Sequence, residues 1–223
     1  MFKAILFDLD NTLYSEDCGI FDLIDQRMNE WLTNRLSIPV EEVNEFRHRY
    51  FMQYGTTLRG LMLHHQVDPR EFLEYVHNVP VRNFLALDQE LRKTLEAVRT
   101  RKMIFTNSDL NHASRILDAL GIRDLFERIF DIESMQFIPK PNPEPYYLAL
   151  EYLQLPPQEC LLIDDMARNL KPARALGMQT ILIGSEGHAA DMEHSISNIR
   201  ELNSVLAQIA ERPGMSYNPP DDR

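Results

Sequence analysis

Short apolar runs that end in polar residues alternate along the chain with longer stretches in which apolar residues recur every three or four positions. Ala4–Phe7 ends at Asp8, Met103–Phe105 at Thr106, Cys160–Ile163 at Asp164 and Thr180–Ile183 at Gly184, with Ile129–Ile132 a weaker fifth run. Such runs predict strands covered on both faces, as in a parallel sheet. Leu91, Leu95 and Val98 mark one helical stripe between them, and Ala113, Ile116, Leu117 and Leu120 another, closed by Gly121 in the C′ position. The alternation of the two patterns predicts an α/β fold, a parallel sheet with helices on both sides.

The first run breaks this rhythm, because no comparable run returns until Met103. Residues 15–80 read as helical instead. Ile20, Ile24, Met28, Trp31 and Leu32 form one stripe, and Val43, Phe46 and Tyr50 a second. Beyond the loop Tyr54-Gly55-Thr56-Thr57 come Leu58–His64 and an amphipathic piece with Phe72, Tyr75 and Val76. The expected organisation is therefore a core of residues 1–14 and 81–212 with a helical insert at 15–80. A polar stretch, Gly184–Glu193, precedes a last helix with Ile199, Leu202, Val205, Leu206 and Ile209 on its apolar face and Asn198 as N-cap. The tail, 213–223, has almost nothing to bury and is expected to be disordered.

Composition is that of an ordinary globular chain of 223 residues, and no apolar run approaches the roughly 18 residues of a membrane span. The opening Met1–Asp8 enters a strand-like run without the features of a secretory signal, so a cytoplasmic location is expected. A net charge of −11 disfavours a nucleic-acid polymer or an anionic membrane as partner. An anionic small molecule stays compatible where local cations, a metal ion included, overcome that field. Cys18 and Cys160 fit no zinc or redox pattern and read as inert thiols.

The chemistry concentrates at the ends of the predicted strands, where open α/β sheets bind ligands. Phe7-Asp8-Leu9-Asp10-Asn11-Thr12-Leu13 puts two carboxylates two positions apart, facing the same way on an extended chain. An acidic turn with Asp10 or Thr12 as a helix cap accounts for the same residues. Asp164-Asp165, with Asn169 behind, follows a second strand and reads as a further acidic pair or as a cap. Carboxylates from two strand ends suit Mg²⁺, with Ca²⁺ the weaker alternative. Thr106-Asn107-Ser108 offers either an anion cradle or a cap. Lys140, within Pro139-Lys140-Pro141-Asn142-Pro143, is either a solvated charge or the ammonium that holds a phosphate and steadies a carboxylate.

Asp8-x-Asp10-x-Thr12, Thr106, Lys140-Pro141 and Asp164-Asp165 together resemble, in order and context, the four motifs of the haloacid dehalogenase-like hydrolases. The resemblance implies a Rossmann-like α/β core with an inserted α-helical cap, and Mg²⁺-dependent hydrolysis of phosphomonoesters. It implies that Asp8 is the nucleophile forming an aspartyl-phosphate and Asp10 the general acid and base, a role requiring a raised pKa. Asp8, the Asp10 backbone carbonyl and Asp164 would ligate the metal. Thr106, the Asn107 backbone amide and Lys140 would bind the phosphoryl oxygens, with Asp165 and Asn169 orienting these groups from behind. Within the family, Leu9–Tyr14, Tyr54-Gly55 with Leu58–Leu61, and Phe105-Thr106-Asn107 look most like the pyrimidine 5′-nucleotidases. The implied partner is a small phosphorylated metabolite, a pyrimidine nucleotide, with Tyr54 and Arg59 as candidate contacts to it.

Rival readings are a sugar-phosphate or phosphoglycolate phosphatase, a phosphomutase, a haloacid dehalogenase and a non-catalytic module on the same fold. An acidic Asp10 argues against the dehalogenase, whose reaction needs no leaving-group acid. The oligomeric state is not legible in the sequence.

Overall fold

Ala4–Phe7 forms strand β1, at the middle of a six-stranded parallel sheet in the computed structural model of the protein, which describes residues 2–184 and 193–210. The other strands are β2 (Arg101–Phe105), β3 (Arg128–Phe130), β4 (Cys160–Asp164), β5 (Gln179–Ile183) and β6 (Ser195–Ile196). Their order is β3-β2-β1-β4-β5-β6, and Ala4 lies beside both Arg101 and Cys160. Strand β3 is shorter than the sequence predicts and leaves Ile132 outside it. Two-residue β6 was not foreseen, being too short to show a period. The expected disordered tail, 213–223, and most of the polar stretch after Gly184 lie outside the described residues.

After β1 the chain leaves the sheet for four helices, α1 (Ile20–Leu36), α2 (Val43–Tyr54), α3 (Thr57–His65) and α4 (Pro69–Val76). Asp68 caps α4 by accepting from the Arg70 and Glu71 N–H groups, with Pro69 at the first helical turn. Helix α2 packs on α3 and α1 on α4. The α2–α3 contact depends on Gly60, where a Cβ would fall 2.3 Å from the Tyr50 ring. The remaining helices are α5 (Gln89–Ala97), α6 (Leu110–Leu120), α7 (Glu144–Leu153), α8 (Ala167–Leu176) and α9 (Leu202–Ala210).

Alternation along the strands divides the core in two. Ile5, Phe7, Ile104, Leu161, Ile163 and Ile181 face a layer built from α5, α6 and α9. Ala4, Leu6, Met103, Phe105, Leu162 and Leu182 face α7 and α8, and the apolar sides of α2, α3 and α4 continue that second layer. Both faces are thereby buried, which explains why the strands read as unbroken apolar runs. Among the described residues no helix is long and apolar enough to cross a membrane.

Candidate active site

The polar residues that follow each central strand meet at one end of the sheet. Asp8 continues β1 through a hydrogen bond from its N–H to the Ile163 carbonyl, 2.8 Å. The chain then turns at Asn11, whose φ of 60° lies in the left-handed region that asparagine tolerates. This turn gives Asp8 and Asp10 different partners, although their spacing suggests a common direction.

Asp8 belongs to the buried lysine. The Lys140 side chain is 1% exposed, and its Nζ lies 2.7 Å from Asp8 Oδ1, 2.7 Å from Asp164 Oδ2 and 2.8 Å from the Phe105 carbonyl. The solvated-charge alternative for Lys140 is thus removed. Its three donors are all committed within the protein, so in this arrangement it steadies carboxylates and has none left for a phosphate. Burial lowers the Lys140 pKa, but Asp164 and Asp8 outweigh it and hold the ammonium above its usual range. Asn107 sets the height of this loop: its Oδ1 accepts from the Lys140 N–H at 2.8 Å, and its Nδ2 donates to the Lys140 carbonyl at 3.2 Å. Thr106 is buried beside it, with its Oγ1 accepting from the Ser108 N–H. The cap of α6 is Asp109, so the capping alternative for Thr106–Ser108 falls away.

Asp164 is fully buried and accepts from both the Met166 N–H (2.9 Å) and Asn169 Nδ2 (2.9 Å). Asp165 sits closer to the centre than a supporting position implies. One carboxylate oxygen from each of Asp8, Asp164 and Asp165 lies within 4.8 Å of the others. Burial pushes the Asp8 carboxyl up to about 7, opposed by Lys140 and reinforced by Asp164. Burial, with the charges of Asp8 and Asp164, pushes Asp165 up to about 9. One ammonium does not offset three carboxylates, and this all-oxygen set suits a hard divalent cation.

Asp10 turns to the other side. Its Oδ1 accepts from Tyr14 Oη at 2.6 Å and His112 Nε2 at 2.9 Å, and its Oδ2 from Ser108 Oγ at 2.6 Å. Burial raises the Asp10 pKa, but His112 and the hydrogen bonds from His112, Ser108 and Tyr14 outweigh it and hold the carboxyl below the ordinary range. The raised pKa expected from the sequence is therefore absent in the resting site. The Asp10 carboxylate also stays outside the acidic trio.

Residues 2–177 match the family described as haloacid dehalogenase-like hydrolase. The chain belongs to that family. It is 29% identical to phosphate metabolism protein 8 of Saccharomyces cerevisiae over 95% of this chain and 71% of the yeast protein. It is 25% identical to a phosphoglycolate phosphatase of Photorhabdus laumondii over 78% of this chain and 77% of that protein. Among solved structures, a haloacid dehalogenase-family phosphatase from Thermococcus onnurineus shares the fold, with a TM-score of 0.63 at 22% identity over 92% of this chain and 97% of that one.

Sequence reading of this hydrolase missed the groups around Asp10. Tyr14 and Ser108 lay within the quoted motifs without a role. His112 carried a legible sign, since it falls four positions before Ile116 on the apolar face of α6, where a histidine is out of place. The cap contacts are further from the chemistry. Tyr54 directs its hydroxyl to His64 Nε2 at 2.5 Å, within a cluster that includes Tyr50 and His65. Arg59 is half-buried, and its N–H donates to Thr56 Oγ1, the cap of α3. Gly55 brings this segment onto the site: at φ 92°, a Cβ there would lie 2.8 Å from the Lys140 carbonyl. A cavity of about 550 Å³ opens beside Asn11 and Asp165 and runs out to Phe84 and Arg200.

Proposed function

We propose that the protein is a Mg²⁺-dependent phosphomonoester hydrolase acting through an aspartyl-phosphate on Asp8, with pyrimidine nucleoside 5′-monophosphates as substrates. The observation that carries this reading is the Asp8 carboxylate gripped by buried Lys140, with Asp164 and Asp165 beside it and Asp10 across from them. The names of the relatives agree with phosphate ester chemistry. Three donors on Asp10 favour it over dehalogenation, where an acid at that position has no work.

An Asp8 oxygen attacks phosphorus, the bond to the leaving oxygen breaks, and that oxygen takes both the electron pair and a proton from Asp10. The arriving phosphoryl charge raises the Asp10 pKa, as any like charge does, and so readies it as an acid. Water then attacks the phosphorus, Asp10 takes its proton, and the bond to Asp8 breaks to free phosphate. Thr106 and the Asn107 backbone N–H would bind the phosphoryl oxygens. Mg²⁺ held by Asp8 and Asp164, with Asp165 at hand, would supply the positive charge that offsets the developing negative charge. The helices of residues 15–80 act as a lid over the leaving group.

The carboxyl pKa values give a metal test independent of turnover. Asp8 and Asp165 keep protons in the fold that the unfolded chain releases near pH 4. Without metal, stability is therefore lost as pH rises from there through about 7 and about 9. A cation binding the ionised trio reverses that loss. Added Mg²⁺ should raise Tm by several degrees more near pH 9 than near pH 5; an equal gain at both, or none, counts against metal at the trio.

The nucleotide assignment draws on the Gly55 contact, which holds the segment carrying Tyr54 and Arg59 against the Lys140 loop, and on these two side chains as candidate contacts to a base or ribose. In a phosphatase screen UMP and CMP should show higher kcat/KM than glucose 6-phosphate or phosphoglycolate. Arg59→Ala should lower kcat/KM for UMP by about tenfold, the order of one lost polar contact, and leave 4-nitrophenyl phosphate nearly unchanged. Sugar phosphates outrunning every nucleotide would defeat the substrate assignment.

A further inference from the structure

His112 lies in the first turn of α6, is completely buried, and directs its ring to Asp10, outside the acidic trio and Lys140. Its ring is fixed from several sides. The His112 N–H donates to Asp109 Oδ1 at 2.9 Å, anchoring the backbone at the helix start. Its face stacks on His77, with ring centroids 4.4 Å apart and 24° between planes. His77 in turn is buried, and its Nδ1 meets Asp109 Oδ2. One carboxylate, Asp109, thus sets both the helix start and the ring behind His112.

The two ring nitrogens of His112 have unlike surroundings. Nδ1 is buried with no hydrogen-bond partner, whereas Nε2 lies 2.9 Å from Asp10 Oδ1. An ionised carboxylate only accepts, so in this contact His112 Nε2 is the donor and Asp10 Oδ1 the acceptor. Tyr14 donates to the same oxygen. Burial and the Asp10 charge push the Tyr14 phenol up, which keeps it a donor. Oδ1 is therefore filled by two fixed donors, and among the described residues the hydrogen bond to Oδ2 comes from the rotatable hydroxyl of Ser108.

We propose that His112 is a positioning residue for Asp10: with Tyr14 it occupies Oδ1 and thereby assigns proton transfer to Oδ2. This inference rests on the phosphatase reading above. Oδ1 keeps both hydrogen bonds whether Asp10 is ionised or protonated, so the carboxyl need not rotate between delivering a proton to the leaving oxygen and taking one from water. Ser108 Oγ, which donates to the ionised Oδ2, can turn aside when that oxygen carries the proton. His77, in the segment joining the four-helix insert to the rest of the chain, backs the ring from behind.

The test compares leaving groups within one protein, with Mg²⁺ present. 4-Nitrophenyl phosphate releases 4-nitrophenolate, which departs without help, whereas phenyl phosphate releases phenol, of pKa about 10, and needs the proton. Because kcat/KM ends at release of the alcohol, the ratio between the two substrates isolates the acid step, and a lower folded fraction cancels from it. In His112→Leu the ratio should shift against phenyl phosphate by about tenfold or more, a part of the effect general acid catalysis supplies. His112→Gln, which keeps a donor at a similar reach, should stay within about twofold of wild type in this ratio. Inhibition by inorganic phosphate should be unchanged in both variants, since the phosphoryl grip is elsewhere. Equal losses on the two substrates, or an unchanged ratio in His112→Leu, would overturn the positioning role while leaving the phosphatase reading intact. A wild-type protein inert toward both esters removes that reading, and this inference with it.

Discussion

Asp8→Asn should lower kcat by at least about 10⁴-fold, the scale seen when a nucleophile is removed, while the fold stays as stable as wild type or becomes more so. The two halves have one cause. An amide of nearly the same size cannot form the bond to phosphorus, so turnover is lost. The fold raises the Asp8 pKa to about 7, which means that a negative charge there is a burden on the native state, and the amide lifts it. Lys140 keeps Asp164 as partner. Phosphate release assays and urea unfolding on the same preparation check both halves. Turnover near the wild-type rate would remove Asp8 as the attacking group.

Lys140→Met has the opposite character. It keeps most of the volume and removes the only ammonium in contact with Asp8 and Asp164 among the described residues, leaving two buried carboxylates without their counter-charge. Breaking a buried pair from one side costs about 3–5 kcal/mol, far above the ~1 kcal/mol of a surface pair. The Asp8 carboxyl then rises further and holds a proton at neutral pH, so the variant should be both unstable and inactive. A loss below about 1 kcal/mol in urea unfolding would contradict the buried bridge. Adding Asp8→Asn to Lys140→Met should recover part of the lost stability, because it removes one of the stranded charges.

Much of this arrangement is legible in the pattern of residues along the chain. The apolar runs at Ala4, Met103, Cys160 and Thr180 are strands because both sides of the sheet are covered, and that condition writes itself into composition. Polar residues at their ends converge because parallel neighbours end together. Orientation was not legible. Whether Asp10 joins Asp8 depends on the Asn11 turn, which no period records, and whether Lys140 is buried depends on Asn107, just past the end of β2, holding its loop. The unforeseen partners of Asp10 come from Tyr14, Ser108 and His112, the last more than a hundred positions away.

The central place of β1 has a consequence for biosynthesis. Its partners on either side begin at Arg101 and Cys160, and Asp8 precedes Lys140 by 132 residues. At about 5–20 residues per second, the ribosome holds this apolar strand for roughly 7–26 s before the lysine even exists. Both edges of β1 are unpaired until β2 has been made, and the edge that β4 will cover stays open throughout, which is the circumstance in which nascent chains recruit chaperones or associate with one another. Asp8 is thus translated early and meets its lysine late, and yield in a cell should depend more on elongation speed and chaperone supply than on the stability of the finished fold.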